Sequence, residues 1–407
     1  MRLTVATPDW MRRPLVRAVI AAFEEAQRPL RFVGGAVRDH LLGRPVFDVD
    51  AATTATPDET LALLAKHHIK AITTGLAHGT VTAVQDGATL EITTLRRDLT
   101  TDGRHAVVAF TDDWKEDAAR RDFTINALYL TPQGVLYDYF HGEVDLQQGC
   151  IRFIGDAAAR IAEDHLRILR YFRFLATHGL QSAEIGALAA CETAALKLLT
   201  LSGERIRQEM LKLLAAPLPQ PALDSMQQCG VLAVVTGHAF DLTALTPLLA
   251  LESALTIAPH PLLRLALLLR QTHDAPAQAA MLSARWKLSV KQTSYVSSLV
   301  KHVPLSHLNE AVARRLVYLH GSDVGLMLIL LEAAQRGMAT HEFTAIWQSI
   351  KDWQPPRLPV RGEDLKQQGI GAGPILGKAL RQLEERWIES DFQMTREALL
   401  ALPYLHT

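Results

Sequence analysis

The hydrophobic period of this chain changes once, close to Cys150, and that change limits the architectures open to it. Before it, short extended runs alternate with short helical ones. After it, almost every segment repeats its apolar residues at helical spacing. The expected fold is therefore α+β, a mixed-sheet domain followed by an all-helical remainder, and 407 residues suffice for two or more domains.

Local signals place several elements. Leu30 to Val33 reads as a buried strand running into Gly34 and Gly35, with a helix from Ala36 to Leu42. Val46 to Ala51 reads as a second strand. Thr56, Pro57 and Glu59 form a helix start, with a capping hydroxyl, a proline at the first helical position and a glutamate three residues after the cap. Asp86-Gly87 is a two-residue turn joining strands Gly79–Gln85 and Ala88–Leu95, because both residues tolerate positive φ. A second hairpin turns around Pro132-Gln133-Gly134. Prolines 217, 219 and 221, and later 355, 356 and 359, mark joints in the helical part.

Composition narrows the function classes. Lys plus Arg number 42 against 43 Asp plus Glu, so any nucleic-acid binding must come from local patches. Cys150, Cys191 and Cys229 lack metal-site spacing and read as reduced thiols. No signal-peptide pattern and no apolar run of membrane-spanning length is read, so no membrane partner is expected.

Four segments carry candidate chemistry. Asp48 and Asp50 alternate in a strand and so project from one face. Two carboxylates about 4 Å apart repel by about 4 kcal/mol at an effective dielectric of about 20. A hard divalent cation such as Mg²⁺ reverses that penalty, although a solvated strand end explains the same pair. Gly34-Gly35 before a helix leaves free backbone N–H groups for an anion, with Arg38 one turn in; a tight strand-to-helix turn is the alternative. Glu91 lies opposite the buried face of its strand, where edge solvation serves as well as metal ligation. Arg120-Arg121-Asp122 ends a charged segment and reads equally as a surface ion-pair cluster.

The richest stretch runs from Arg160 to Arg173. Ile161, Ile168, Leu169, Phe172 and Leu175 share one helical face, leaving Asp164, Arg167, Arg170 and Arg173 along another. Three arginines against one nearby aspartate leave surplus positive charge for phosphate or for a base edge; an intrahelical ion-pair ladder is the other reading.

In order, GGAVRDHLLGRPVFDVD, RRDFTINAL and EDHLRILRYFRF resemble the class II tRNA nucleotidyltransferase and bacterial poly(A) polymerase family. The likeness is densest from Phe32 to Phe174. It continues weakly to Gly362–Leu365 and Gly373–Gly377. The resemblance implies a nucleotidyltransferase head at 1–145, a neck at 146–216, a body at 217–354 and a tail at 355–407, and no HD-type phosphohydrolase, His273-Asp274 lacking spaced partner histidines. It further implies Asp48 and Asp50 as metal ligands with Glu91 as third acid, and Gly35 and Arg38 on the triphosphate. Arg121 contacts nucleotide and Asp122 supports the sugar side. Asp164 and Arg167 read the Watson–Crick edge, with Arg170 and Arg173 further along the same stripe. The implied reaction adds C, C and A to the tRNA 3′ end from CTP and ATP by two-metal nucleotidyl transfer with Mg²⁺.

Three alternatives stand beside this expectation. A poly(A) polymerase is disfavoured by Thr74 to Val81, which lacks an arginine-rich strand. An enzyme adding only CC is disfavoured by Asp102-Gly103-Arg104-His105 and the residues following to Asp113, while one adding only A stays open. A catalytically silent RNA-binding protein is disfavoured by the intact Asp48, Asp50 and Arg121. Gly371, Gly373 and Gly377 are expected to approach a phosphate backbone closely or to serve as packing or turn glycines, the latter for Gly377, and Trp347, Trp353 and Trp387 are expected as core.

Overall fold

The computed structural model describes residues 2–73, 75–101, 106–179 and 183–402, and the chain divides into two compact units at Ala239/Phe240. The first unit begins with β1 (Arg2–Thr4), α1 (Pro14–Glu25), β2 (Leu30–Val33), α2 (Gly35–Leu41), β3 (Asp50–Thr53) and α3 (Pro57–Lys66). β4 (Lys70–Ile72), the hairpin β5 (Thr80–Gln85) and β6 (Ala88–Thr94), and a ribbon of β7 (Arg96–Thr101) and β8 (Ala106–Phe110) follow. α4 (Trp114–Ala119), β9 (Leu128–Leu130), β10 (Val135–Asp138) and α5 (Gly142–Gln148) complete the mixed part.

One sheet takes the order β1, β10, β9, β2, β3, β6, β5, β4, and only β3 with β6 is parallel. The capping box at Thr56 and Glu59 forms as the spacing predicts. Asp86 and Gly87 both take positive φ, 50° and 79°, as the tight hairpin requires.

The strand expected over Val46–Ala51 begins only at Asp50. β2 ends at Val33, opposite Asp50, and the chain leaves the sheet at Gly34. Residues before Asp50 therefore have no β2 partner. Arg13 instead takes the carbonyls of Val46 and Phe47. The segment Asp102–His105, used above to favour full CCA addition, and Thr74 lie outside the described residues.

The remainder of the first unit is helical: α6 (Ala157–Glu163), α7 (Leu166–His178), α8 (Ile185–Ala194), α9 (Gly203–Leu214), α10 (Gln220–Gln228) and α11 (Val231–Thr236). Asp164 breaks what the periodicity reads as one helix. Its backbone is extended (φ −152°, ψ 108°) and its carboxylate accepts from the Leu166 N–H, so α7 restarts one step later. Beyond the proline joint, α10 still packs on α7.

The second unit contains α12 (Leu245–Ala254), α13 (Pro261–Arg270), α14 (Ala275–Arg285), α15 (Val290–Val300), α16 (Glu310–Gln335), α17 (Thr340–Ile350), α18 (Gly362–Gln367), α19 (Pro374–Glu389) and α20 (Arg396–Leu400). One expectation needs correction here: α16 is long and apolar enough, by length and composition, to cross a membrane. It is nonetheless interrupted at Gly321 (φ 77°), buries Leu328 to Leu331, and carries a buried Glu332 paired with Arg270. A charged pair inside a packed helical layer describes a core helix. Trp347 and Trp387 are buried, and Trp353 packs on Phe392. Gly377 has open space where a Cβ would stand, so packing does not explain it.

Candidate active site

Sheet register brings two of the predicted residues, Asp50 and Glu91, to one end of β3. Asp50 pairs antiparallel with Val33, the residue before the glycine turn, and parallel with Glu91 on β6. Val49 is buried while Asp48 and Asp50 are exposed, an alternation that holds although the strand itself begins only at Asp50. Asp50 remains accessible but lies where surrounding protein displaces much of its water. That desolvation, with the charges of Glu91 and Asp48, pushes its carboxyl up to about 6; Arg121 opposes the shift. The acids thus form an uncompensated negative edge.

Such an edge fits a divalent cation. Among the described residues no three His, Cys, Asp or Glu side chains converge into a ready ligand set. A cation at Asp48 and Asp50 therefore leaves part of its shell to waters and substrate oxygens, which is how Mg²⁺ is commonly held.

The glycine turn faces two guanidinium groups. Gly34 takes φ 74°, and a Cβ there would lie 3.8 Å from Nη1 of Arg121; at Gly35 it would lie 3.7 Å from Nη2 of Arg38. Arg121 is oriented from behind, donating to the Tyr129 hydroxyl at 3.1 Å and to Asp117 at 3.3 Å. Asp117 also accepts from Arg120 at 2.9 Å and from Tyr129 at 2.6 Å. Buried Arg38 makes a bidentate pair with Asp39 and donates to Asn126 at 2.8 Å. Asn126 passes the chain on to Asp122 at 3.0 Å.

Asp122 is a linker. Besides Asn126, it accepts from the Phe123 N–H at 2.9 Å and from Arg170 Nε at 2.6 Å. Burial alone raises its carboxyl, and Arg170 with these donors more than offsets that, holding it below the usual range.

The α6–α7 junction is tied to the same segment. Arg160 donates to the carbonyls of Arg120 and Arg121, and Arg167 donates to the Arg120 carbonyl at 3.2 Å and the Arg160 carbonyl at 2.8 Å. Arg167 also pairs with Glu163, and Asp164 accepts from Arg205 of α9 at 2.8 Å. Arg173 pairs with Glu209 and lies over the Phe174 ring at 4.1 Å.

Of the eleven residues singled out from sequence, Asp48, Asp50, Glu91, Gly35, Arg38 and Arg121 gather around the end of β3, where distances, register or charge coupling connect them. Asp122, Asp164, Arg167 and Arg170 follow as a connected second layer, while Arg173 is engaged with α9. Sequence reading missed Asp117, Asn126, Glu163, Arg205 and Glu209. A helical-spacing signal existed for Asp117, which precedes Arg120 and Arg121 by three and four residues. None existed for Glu209, whose partner is 36 positions away.

Comparison with known proteins agrees with this geometry. Residues 30–152 match the profile of the Poly A polymerase head domain, 184–238 match "Probable RNA and SrmB- binding site of polymerase A", and 263–402 match a tRNA nucleotidyltransferase domain 2. The chain is 37% identical over 393 residues to the mitochondrial CCA tRNA nucleotidyltransferase 1 of Danio rerio, covering 93% of this chain and 88% of that one. It is 34% identical to the CCA-adding enzyme of Levilactobacillus brevis, covering 95% and 96%. Among solved structures, the CCA-adding enzyme of Bacillus stearothermophilus in complex with CTP superposes with a TM-score of 0.73 at 28% identity, covering 97% and 96%. With the acidic edge, the glycine turn and the arginine-tied junction all in place, the chain belongs to the CCA-adding tRNA nucleotidyltransferase family.

Proposed function

We propose that this chain adds C, C and A in turn to the 3′ end of tRNA, using CTP and ATP and releasing pyrophosphate. The observation that carries the reading is the exposed Asp48–Asp50 pair beside Glu91, facing a glycine turn lined by Arg121. The 3′-hydroxyl of the RNA forms a bond to the α-phosphorus as the α–β phosphoanhydride bond breaks. Mg²⁺ held by Asp48 and Asp50 would polarise the reacting oxygens and neutralise the developing charge. Arg38, Arg121 and the Gly35 backbone take the triphosphate, and Glu91 adds negative potential on the metal side.

Base choice falls to Asp164 and Arg167. Each Asp164 oxygen accepts one bond here, so lone pairs remain for the exocyclic amine that cytosine and adenine share. Arg167 commits three of its N–H groups to Arg160, Glu163 and Arg120, leaving two for a ring acceptor. Uracil and guanine present the reverse pattern at the amine position. We assign the reaction to the cytoplasm, where the free Cys150, Cys191 and Cys229 stay reduced.

Nucleotide incorporation into tRNA transcripts ending before CCA tests this reading. CTP alone should add two residues, and ATP should add one only after them. Long tails from ATP alone would identify a poly(A) polymerase, and no pyrophosphate release would identify a silent RNA binder. Asp164→Ala should lose choice among the four nucleotides by roughly 10-fold or more, since a bidentate base contact discriminates by about 1–3 kcal/mol. Equal loss for all four with preference unchanged would remove Asp164 from that role.

A further inference from the structure

We infer that His178 is a positioning residue for the triphosphate: it shares one carboxylate oxygen of Asp39 with Arg38, and so sets how much of the Arg38 charge is left for a phosphate. The inference rests on the proposed placing of Arg38 at the triphosphate. His178 closes α7, and its side chain is 8% exposed. Its Nε2 lies 3.4 Å from Asp39 Oδ1, the same oxygen that Arg38 Nε reaches at 2.9 Å. Arg38 Nη2 donates to the other oxygen at 3.1 Å and lies 3.7 Å from where a Cβ on Gly35 would stand. One guanidinium nitrogen therefore faces both the carboxylate and the glycine turn. Its pull on a phosphate depends on how strongly Asp39 holds it.

The surroundings of the ring let it gain a proton without losing a hydrogen bond. His178 Nδ1 lies 2.7 Å from Thr177 Oγ1, and that hydroxyl also reaches the Arg173 carbonyl at 2.9 Å. When the ring is neutral with its proton on Nε2, the hydroxyl donates to Nδ1. When the ring is charged, Nδ1–H donates to the hydroxyl, whose own hydrogen turns to the Arg173 carbonyl. In both states Nε2–H is directed at Asp39, and only the charge changes. A charged donor makes a shorter and stronger bond than a neutral one. The 3.4 Å separation leaves room for the carboxylate to move towards the imidazolium and away from Arg38. Arg38 is held on its other side by Asn126 at 2.8 Å and lies over the Phe174 ring at 5.2 Å, so it stays in place while its partner shifts.

The charges acting on the ring come from Asp39 and Arg38 of α2 and from Arg44 in the loop after it, which donates to the Thr177 carbonyl at 3.0 Å. On its own helix the ring meets Thr177 and, at 5.6 Å, Phe174. Burial pushes the titration of His178 below its ordinary value; the bond to Asp39 opposes this, and Arg38 and Arg44 add to it. A triphosphate on Arg38 draws that guanidinium from Asp39, leaves the carboxylate to His178 and so favours the imidazolium. Triphosphate affinity is therefore highest with the ring charged, and it falls as pH rises through the titration of His178.

The test measures CTP binding to the full chain with Mg²⁺, for wild type and His178→Gln, from about pH 8 to about pH 5.5, a range that spans the ordinary histidine titration. Glutamine keeps an N–H for Asp39 but cannot charge. Asp50, raised to about 6, loses its charge in the same range in both proteins, so the readout is the ratio of their affinities at each pH. Wild type should gain about fivefold over His178→Gln as pH falls, a modest coupling between linked sites. The ratio of their kcat values should not change with pH, and inorganic tripolyphosphate should show the same gain as CTP. By reciprocity, CTP should raise the titration of His178, followed by NMR of its ring nitrogens, by about 0.7 of a pH unit. In an Asp39→Asn background the ratio should lose its pH dependence, because the shared carboxylate is gone. A ratio that stays constant with pH in a His178→Gln protein of normal melting temperature would overturn the inference. So would a pH dependence that survives Asp39→Asn, since the ring would then act on the ligand by its own field. A wild type that incorporates no nucleotide while the ratio behaves as stated refutes the proposed reaction instead, so the two failures are distinguishable.

Discussion

The acidic end of β3 and the arginine-bearing α6–α7 segment are both charge-rich, and they handle charge in opposite ways. Asp48, Asp50 and Glu91 crowd like charges at an accessible edge, and burial first, then the charge of Glu91, raises the Asp50 carboxyl to about 6. Each arginine of the second region has an acidic partner: Arg160 and Arg167 share Glu163, Arg170 pairs with Asp122 and Arg173 with Glu209, while Asp164 is taken by Arg205. An uncompensated cluster is a place for a ligand to complete, whereas a compensated one fixes geometry. On the proposed reading the acids meet the reacting groups, Asp122, Arg170 and Arg173 hold others in position, and Asp164 and Arg167 keep spare groups for a base.

Substitutions should respond accordingly, and the largest response belongs to the acids. Asp50→Asn should lower CTP incorporation on the order of a thousandfold, because metal stabilisation of transition-state charge is worth several kcal/mol at about 1.36 kcal/mol per tenfold. Its metal-free melting temperature should stay equal or rise, since a strained charge is removed. A fall in melting temperature with incorporation intact would mean that the acids are structural after all.

Asp122→Ala should show the reverse pattern. Removing one partner of a buried pair strands Arg170 and cuts the Asn126 link to Arg38, so urea unfolding should report a loss of about 3–5 kcal/mol. Replacing the pair together, as Asp122→Leu with Arg170→Met, should recover much of that stability. If Asp122→Ala is neutral in urea, the second region is not held by its ion pairs.

This division was only half legible in the sequence. Alternation at Asp48-Val49-Asp50 and the glycine turn are local facts, and strand register then needed only the neighbour β6 to bring in Glu91. The helical stripe misled in one respect: Arg170 and Arg173 read as surplus positive charge because their partners Asp122 and Glu209 lie 48 and 36 positions away. Periodicity also carried one helix through Asp164, since a side chain that captures its own downstream N–H leaves no trace in apolar spacing. The first strand residue was misplaced for a similar reason, because where β3 starts is decided by where β2 stops.

The smallest expected effect tests whether the compensated region works through charge. Burial alone would raise the carboxyl of Asp117, but the charges of Arg121 and Arg120 and the hydroxyl of Tyr129 outweigh it and hold it at about 2. An unfolded aspartate titrates near about 3.9. The folded state therefore binds fewer protons than the unfolded state between these values, so stability increases with pH across that window. The contribution is fully present above about pH 5 and is lost as pH falls through about 2, amounting to about 2.5 kcal/mol for a shift of this size. Asp122 and Asp39 are depressed in the same direction and add to the same acid limb. Asp117→Asn should consequently be less stable than wild type at pH 6, with a difference that shrinks as urea unfolding is repeated at pH 4 and then 3. A difference that stays constant over that range would show that Asp117 acts through packing and hydrogen-bond geometry, and the arginines around it would then be held by shape rather than by charge.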